Sequence, residues 1–213
     1  MSLPSDPKCK LCRREGEKLF LKGEKCFSIK CPINRRNYAP GVHGPAGAMK
    51  RGGKQSNYAK QFREKQKLKR TYILNEQQFR RYYDEAMLKS TDTAESIMQR
   101  LETRLDNVVY RLGFAPSRVA ARQLISHGHI ALNGRRTDVG SVAVRVSDVI
   151  AIQAHKQARV LFADLSKTLT NKPIPGWLVL NIDKLEGKVV GMPTMSDWET
   201  TANIRAIVEF YSR

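Results

Sequence analysis

Acidic residues, cysteines and long apolar runs are all scarce in this sequence, and each scarcity excludes something. Of 213 residues only 20 are Asp or Glu, against 38 Lys or Arg, so the net charge is +18. The longest uncharged stretches, residues 37–49 and 173–182, are too short or too rich in Pro and Gly to span a bilayer. The first residues, MSLPSDPKCK, lack the apolar core of a secretory signal. We therefore expect a cytosolic chain that does not enter a membrane.

The excess of basic residues is concentrated in the first part of the chain. Residues 1–90 hold 22 basic and 8 acidic side chains, whereas residues 91–213 hold 16 and 12. With 41% hydrophobic residues, the chain has enough apolar side chains to fold into one or two domains. Each Lys or Arg that binds a phosphate releases condensed counterions, which favours a polyanionic ligand. Nucleic acid is therefore the predicted partner.

The four cysteines fall in two close pairs, Cys9 with Cys12 and Cys26 with Cys31. Structural disulfides are rare in the cytosol, and two thiol pairs separated by a short loop are typical of a tetrahedral metal site. The alternative, buried apolar cysteines, is disfavoured by the charged, glycine-containing surroundings. We predict Zn²⁺ on all four cysteines, with an iron–sulfur cluster on the same ligands as the alternative. A catalytic zinc is disfavoured because no His or carboxylate ligand accompanies the thiols.

This four-cysteine knuckle, the segment from Cys9 to Cys31, is too short to bury much of a core, so a metal ion would supply its folding free energy. An arm from Asn34 to Ser56 follows, with turn residues and bases but no apolar period. We expect the arm to become ordered only against a negatively charged partner. The bases that the knuckle and the arm would direct toward phosphates are Arg13, Arg14, Lys18, Arg35, Arg36, Lys50 and Arg51.

Two helices are predicted after the arm. Ser56 begins a helix with a thin apolar stripe, and Asn75 caps a second helix with a broad apolar face of aromatic residues. We interpret these aromatics as core and not as a platform for stacking bases. The first helix is crowded by positive charge, which gives it a basic face. Its bases are Lys60, Arg63, Lys65, Lys67, Lys69 and Arg70.

A pair of helices joined by a tight turn comes next. Asp92 and Glu95 form a capping box that opens a third helix, and the apolar period predicts that it runs without interruption to Gly113. After a short break, Ser117 caps a fourth helix that ends at Gly128. The order predicts a helix-turn-helix.

Short strands are predicted after the helices. The dipeptide Asn133-Gly134 is the strongest short-range hairpin signal, because both residues tolerate a positive φ. Alternating valines over residues 142–146 predict a strand, and the apolar run 149–152 predicts another. Two further strands are predicted at residues 177–180 and 188–192, while the pattern between 153 and 172 is ambiguous.

The inward positions of the third and fourth helices leave a set of polar side chains that could share an outward surface. Helix N-termini attract phosphate, and Ser117 lies at one. A solvated face is an equally good interpretation of any single arginine, and the histidines could equally be structural hydrogen-bonders at the helix-to-strand corner. The set is Arg104, Arg111, Arg118, Arg122, Gln123, His127 and His129.

Two rival functions are disfavoured by the organisation of the chain. An RNA-modifying enzyme or synthetase would need a catalytic domain, and little chain remains after the knuckle, the basic helices and the helix-turn-helix are assigned. No carboxylate pair, activated nucleophile or phosphate-cradling glycine loop is left over in the sequence. A helix-turn-helix DNA binder would read base edges with one recognition helix, whereas here the charge is spread over several elements.

The order helix, tight turn, helix and hairpin resembles the small RNA-binding domain named after the fourth protein of the bacterial small ribosomal subunit. The resemblance to that protein family extends over most of the chain. It rests on the segments LETRLDNVVYRLGFAPSRVAARQLISHGHIALNGRR, CKLCRREGEKLFLKGEKC, YAPGVHG, FREKQKLKR and VEFYSR.

The resemblance implies an α+β fold in which an RNA-binding domain, a helix-turn-helix followed by a small antiparallel sheet, is inserted into an N-terminal metal-knuckle and helical domain. The implied divisions are residues 1–45 for the four-cysteine metal knuckle and basic arm, residues 46–92 with 195–213 for the helical rRNA-binding domain, and residues 93–194 for the inserted domain. In the family the C-terminal tail returns to pack on the N-terminal helices.

The resemblance also implies a function. A member of this family is a structural, non-enzymatic constituent of the small subunit in the cytoplasm. It binds small-subunit rRNA first and nucleates assembly at a junction in the five-prime domain. It lines the mRNA entry channel beside neighbouring small-subunit proteins, contacts mRNA in passing, contributes to translational accuracy, and is monomeric within the subunit.

RNA contacts carry over from the family to matching positions here. They include the arginines near the cysteines and the bases named above in the arm. The others are Lys65, Lys67, Lys69, Arg70, Arg104, Arg111, Ser117, Arg118, Arg122, Gln123, His127, His129, Asn133, Arg135 and Arg136.

Overall fold

The computed structural model describes residues 7–45, 56–89, 92–157, 162, 165–170 and 172–212. Within these ranges the chain folds into helices and a small antiparallel sheet, so the α+β prediction is confirmed. The chain divides into two compact units: unit 1 comprises residues 1–94 and 200–213, and unit 2 comprises residues 95–199. None of the helices in the described ranges has both the length and the apolarity of a membrane-spanning segment.

The described helices are mostly short, and the strands are shorter still. The helices are α1 (Lys8–Glu15), α2 (Pro32–Arg35), α3 (Asn57–Thr71), α4 (Glu76–Lys89), α5 (Thr93–Glu102), α6 (Leu105–Arg111), α7 (Arg118–Ser126), α8 (Ala154–Gln157), α9 (Leu165–Thr170) and α10 (Ile204–Tyr211), with 3-10 turns at Gly23–Cys26 and Met195–Asp197. The strands are β1 (Ile130–Leu132), β2 (Arg135–Arg136), β3 (Val149–Ile152), β4 (Leu178–Asn181) and β5 (Glu186–Val189).

Unit 1 is built around α3, α4 and the C-terminal helix α10, which packs along α3. Leu68, Phe79 and Ile207 are among its fully buried side chains. Tyr211 of α10 stacks on Tyr83 of α4, with 4.8 Å between ring centroids. The aromatic face of α4 therefore belongs to the core, as predicted from its helical spacing.

The predicted N-caps Asn75 and Ser117 are confirmed, and Ser56 caps α3 in the same way. The side chain of Ser56 accepts a hydrogen bond from the backbone N–H three residues on at 3.2 Å. Asn75 and Ser117 do the same at 2.7 Å and 3.2 Å. Each cap satisfies an N–H that the first helical turn leaves without a partner, which fixes where the helix begins.

In unit 2, α6 and α7 pack on each other and share a hydrophobic core with the sheet. Among the described residues of this unit, the sheet has five strands in the order β2–β1–β3–β5–β4, each antiparallel to its neighbour. Gly187 of β5 lies directly under Leu112, since a Cβ atom there would be 2.4 Å from a Leu112 methyl carbon. The absence of a side chain at this position lets the sheet approach the helix pair.

The prediction of an uninterrupted third helix is wrong. The helical pattern breaks between Glu102, where α5 ends, and Leu105, where α6 begins. A loop from later in the chain inserts at the break: the Leu105 N–H donates to the Val142 carbonyl at 2.8 Å, and the Val144 N–H donates to the Thr103 carbonyl at 2.9 Å. These long-range hydrogen bonds replace the helical ones that the apolar period alone predicts.

The same loop explains why the strand predicted at residues 142–146 is wrong. In the described part of the chain this segment forms an isolated bridge, between Ala143 and Arg104, and no ladder. The predicted hairpin is confirmed, with φ of 51° at Asn133 and 77° at Gly134. β3 lies where it was predicted, whereas β4 lies one residue later than predicted, and β5 begins two residues and ends three residues earlier than predicted.

Candidate nucleic-acid interface

The knuckle brings its four thiols to one place. Cys12, Cys26 and Cys31 are buried, Cys9 is half-buried, and all four are free of disulfides. They line one small pocket together with apolar side chains. Two of them come from α1, one from the 3-10 turn and one from the residue that precedes α2. Thiols that are far apart in sequence therefore face each other across a narrow apolar space.

Burial raises the pKa of the Cys12 thiol, and a backbone hydrogen bond from Leu19 opposes this effect. The other three thiols raise the pKa of Cys12 further, so they lie close enough to act on its charge. Within the described ranges, however, no three His, Cys, Asp or Glu side chains are arranged so as to hold a metal ion. The knuckle offers a cluster of soft sulfur donors, in a pocket whose present shape is not that of a closed metal site.

The start of the arm is held against α1. Arg13 Nε donates to the carbonyl oxygens of Arg36 at 3.2 Å and Tyr38 at 3.1 Å, and its guanidinium carbon lies 4.9 Å from the centre of the Tyr38 ring. The arm is thus ordered as far as Tyr38 by the chain itself, contrary to our prediction. The other predicted contacts in this region are Arg14, Arg35 and Arg36, which are exposed, and Lys50 and Arg51, which lie outside the described residues.

Two bases of α3 converge on one acid. Lys65 Nζ and Lys69 Nζ donate to the carboxylate of Glu76 at 2.6 Å and 2.8 Å, and the Tyr211 hydroxyl donates to it at 2.7 Å. Burial disfavours the ionised form of Glu76, but these three hydrogen bonds outweigh it and lower the pKa of Glu76 to about 2. The carboxylate is therefore charged at neutral pH and fixes both ammonium groups.

The remaining predicted contacts of α3 are also paired within unit 1. Lys67 is buried and donates to Glu17 at 3.0 Å and to Glu64 at 3.2 Å. Arg70 pairs with the carboxylate of Glu15. The basic face of α3 is consequently a set of ion pairs from Arg63 to Arg70, and the acids orient the bases of that stretch.

In unit 2 a buried carboxylate organises the helix pair. The Glu102 side chain is 0% exposed, and it accepts hydrogen bonds from Arg111 Nε at 3.0 Å and Arg111 Nη2 at 2.9 Å. Asn107 Nδ2 donates to the same carboxylate at 2.8 Å, and Asn107 Oδ1 accepts from Arg118 Nε at 2.8 Å. One buried hydrogen-bond network therefore links α5, α6 and α7, and two predicted RNA contacts are part of it.

Asp106 plays the same role for the other two arginines. Arg104 donates to both of its oxygens, at 3.0 Å and 2.8 Å. Arg122 of α7 donates to Asp106 Oδ2 twice, at 2.9 Å and 2.6 Å. Asp106 lies in the first turn of α6, where the helix dipole stabilises a negative charge. Two buried acids thus hold three of the four arginines directly, and Arg118 is linked to Glu102 through Asn107.

The remaining predicted contacts of unit 2 include one that is buried beside the arginines and several that are exposed to solvent. Ser117 is buried as the cap of α7. Those that are exposed to solvent are Gln123, His127, Arg135 and Arg136.

His129 and Asn133 have structural surroundings. His129 is buried, and its ring makes an edge-to-face contact with the Phe162 ring, with 5.7 Å between the ring centroids. The Asn133 side chain accepts from the Val149 N–H and donates to Asp148, both at 2.9 Å. The amide of Asn133 therefore fastens the hairpin turn to the following strand.

Sequence reasoning identified the bases and missed the acids that hold them. Glu102, Asp106 and Glu76 each bind two or more partners, yet their partners are as many as 135 residues away along the chain. One signal for Glu102 and Asp106 was available: each directly follows an apolar residue of the predicted buried face, Leu101 or Leu105, where an unpaired carboxylate would be too costly to bury.

The comparisons with known proteins agree with this architecture. Residues 5–102 match the model of the ribosomal protein S4/S9 N-terminal domain, and residues 103–150 match the S4 domain. The protein named small ribosomal subunit protein uS4 of Koribacter versatilis is 45% identical over 213 residues, the full length of both chains. Its namesakes in Thermoanaerobacter sp. (strain X514) and Thermus thermophilus are 48% and 46% identical over 207 residues, 97% of each chain. This chain belongs to the ribosomal protein S4 family.

Proposed function

We propose that this chain is a structural constituent of the small ribosomal subunit, in the cytoplasm, where it binds rRNA and catalyses no reaction. The observation that carries the proposal is the S4-domain helix pair, whose arginines are oriented by buried acids beside a hairpin with two exposed arginines. The net charge of +18 adds the long-range attraction that a polyanion requires.

The proposed RNA contacts fall into two groups. Exposed side chains bind phosphates directly, whereas side chains held by other residues of the chain fix the shape of the surface and reach a phosphate only with their accessible edge. The first group comprises Arg14, Arg35, Arg36, Gln123, His127, Arg135 and Arg136. The second comprises Arg13, Lys65, Lys67, Lys69, Arg70, Arg104, Arg111, Arg118 and Arg122, with Ser117, His129 and Asn133 as supports.

Recognition on this proposal is mainly of backbone and shape. The major groove of an A-form helix is too narrow for side chains to read, so specificity comes from fitting several RNA helices at once. Fixed basic groups suit this task because their spacing can match the phosphates of a folded junction but not those of a regular duplex.

Binding should therefore be selective for folded RNA and steeply dependent on salt. If about 6–10 phosphates are contacted, affinity for a small-subunit rRNA junction should fall by roughly 10³–10⁵ between 50 and 200 mM salt. Arg135→Ala and Arg136→Ala should each lower affinity and reduce the salt slope by about 1. Filter binding over a salt series measures both quantities.

The matched control for the hairpin variants is Lys184→Ala, since Lys184 is an exposed base in the turn between β4 and β5. It should leave affinity and slope nearly unchanged. Equal affinity of the wild-type chain for the junction and for duplex DNA of the same length would refute the proposal.

The finer assignments rest on family resemblance. We propose that the chain is monomeric within the subunit and nucleates assembly at the five-prime domain junction. It lies at the mRNA entry channel beside neighbouring small-subunit proteins, where it contacts mRNA in passing and contributes to translational accuracy. Recovery of the chain with small subunits after gentle lysis and gradient sedimentation supports this placement, and recovery in the ribosome-free fraction contradicts it.

We further propose that Cys9, Cys12, Cys26 and Cys31 hold a structural Zn²⁺. Four thiols that face one pocket fit the donor set of such a site, and knuckles of this size take their folding free energy from the metal. A bound ion would link α1 to the start of α2. An iron–sulfur cluster on the same thiols is the alternative.

Elemental analysis of protein purified without added metal should find one zinc per chain, with no visible absorbance. A coloured protein that contains iron and sulfide would support the cluster instead. If the protein contains neither zinc nor iron and all four thiols react freely with a thiol reagent, both the zinc site and the iron–sulfur cluster are ruled out.

A further inference from the structure

Glu199, on the segment that follows the Met195–Asp197 turn, reaches back to the helix pair. Its Oε1 lies 2.6 Å from Arg111 Nη1, and its Oε2 lies 3.6 Å from Arg118 Nη2. The Arg111 and Arg118 side chains are only 4% and 8% exposed, whereas that of Glu199 is 53% exposed. The carboxylate therefore lies between these two guanidinium groups and solvent.

A third cation, Lys172, belongs to the same cluster. Lys172 Nζ donates to the Tyr110 carbonyl at 2.6 Å, and both it and the Arg118 guanidinium carbon lie 4.5 Å from the centre of the Tyr110 ring. Burial lowers the pKa of Lys172 to about 8, and the charge of Glu199 acts in the opposite direction. Glu199 is thus an ion-pair partner of Arg111 and Arg118, and its charge also acts on Lys172.

The cluster carries more positive than negative charge. Around the Tyr110 ring stand the cations Arg111, Arg118 and Lys172, and the carboxylates that act on them are the enclosed Glu102 and the exposed Glu199. A backbone phosphodiester in place of Glu199 would bring the same single negative charge and two non-bridging oxygens that accept hydrogen bonds from the same donors. Planar guanidinium groups and an ammonium group around one anion are also the arrangement that proteins use for phosphate.

We propose that Glu199 occupies, in the RNA-free chain, the position that one backbone phosphate of bound RNA takes against Arg111, Arg118 and Lys172. The phosphate and the carboxylate compete, so RNA binds there only after Glu199 has swung into solvent. Glu102 cannot be displaced in this way because it is fully enclosed, whereas the half-exposed Glu199 can be rehydrated at small cost. This inference rests on the proposed RNA binding, and it adds that the Glu199 carboxylate competes with an RNA phosphate for the same cations.

The test is the affinity of Glu199→Gln for the rRNA junction at fixed salt. Removal of the competing charge should tighten binding about two- to five-fold, as expected for loss of a partly exposed ion pair that must break first. Asp183→Asn is the matched control, since it removes the same charge from an exposed turn of the same unit, and it should change affinity less than about two-fold. Introducing Lys172→Met into Glu199→Gln should remove most of the gain.

The outcomes separate this inference from the function on which it rests. If the wild type binds the junction in preference to duplex DNA but Glu199→Gln binds it no more tightly than Asp183→Asn does, the competitor role is overturned and the proposed function stands. Persistence of the full gain in the double variant also overturns it, because the phosphate would then not use Lys172. Should Glu199→Gln fold poorly by thermal denaturation, Glu199→Ala provides the same comparison.

Discussion

Replacement of Glu102 by alanine should destabilise unit 2 by about 3–5 kcal/mol. The change leaves the Arg111 guanidinium buried without its bidentate partner and deprives Asn107 of an acceptor, and removing one member of a buried ion pair has costs of this order. Both tryptophans, Trp177 and Trp198, belong to unit 2, so tryptophan fluorescence during urea denaturation reports this unit selectively.

The matched control is Glu95→Ala, on the same helix α5. Glu95 is half-buried and bonds to Gln99 within its own helix, so its loss should cost less than about 1 kcal/mol. Glu102→Gln should fall between the two, because an amide keeps an oxygen acceptor but not the charge. Equal stabilities for Glu102→Ala and Glu95→Ala would mean that Arg111 is not anchored by this carboxylate.

Replacement of Cys12 by serine should abolish metal binding and unfold the knuckle. Few apolar side chains are buried in the knuckle or directly beside it, Leu19, Leu21 and Ile33 among them, so the proposed ion supplies most of the folding free energy, on the order of 10 kcal/mol. The variant should be cleaved rapidly by trypsin after the basic residues of α1, while tryptophan fluorescence stays that of the folded unit 2. Mass spectrometry of the fragments locates the cleavage.

Ile29→Ala is the control within the same segment, since Ile29 is highly exposed and no thiol is altered. Its zinc content and resistance to trypsin should match those of the wild type. A Cys12→Ser protein that keeps one zinc per chain and remains resistant would show that the knuckle holds together without this thiol.

Much of the fold could be predicted because its signals are local. Ser56, Asn75 and Ser117 mark helix starts through a side chain that bonds three residues away, and Asn133-Gly134 specifies its turn by backbone conformation alone. The break between α5 and α6 could not be predicted, because it depends on hydrogen bonds to a loop almost forty residues later. The spacing of apolar residues along one segment carries no information about a distant loop that inserts into it.

The candidate site also combines features with local sequence signals and features that depend on distant residues. Its arginines and lysines are visible in the composition, but whether each one is available or engaged depends on acids that only the folded chain brings near. Asp106 lies sixteen residues from Arg122, and Glu199 lies 88 residues from Arg111. The identity of the RNA contacts and of the metal stays a prediction.

The tethering of the arginines in α6 and α7 also bears on the thermodynamics of complex formation. An arginine side chain that Glu102 or Asp106 already confines loses little further conformational entropy when a ligand binds. The entropic penalty of association, which for flexible arginines is about 0.5–1.5 kcal/mol apiece, was met when the polypeptide folded. Such a surface meets its target as a rigid template, with its affinity limited by geometric fit more than by disorder.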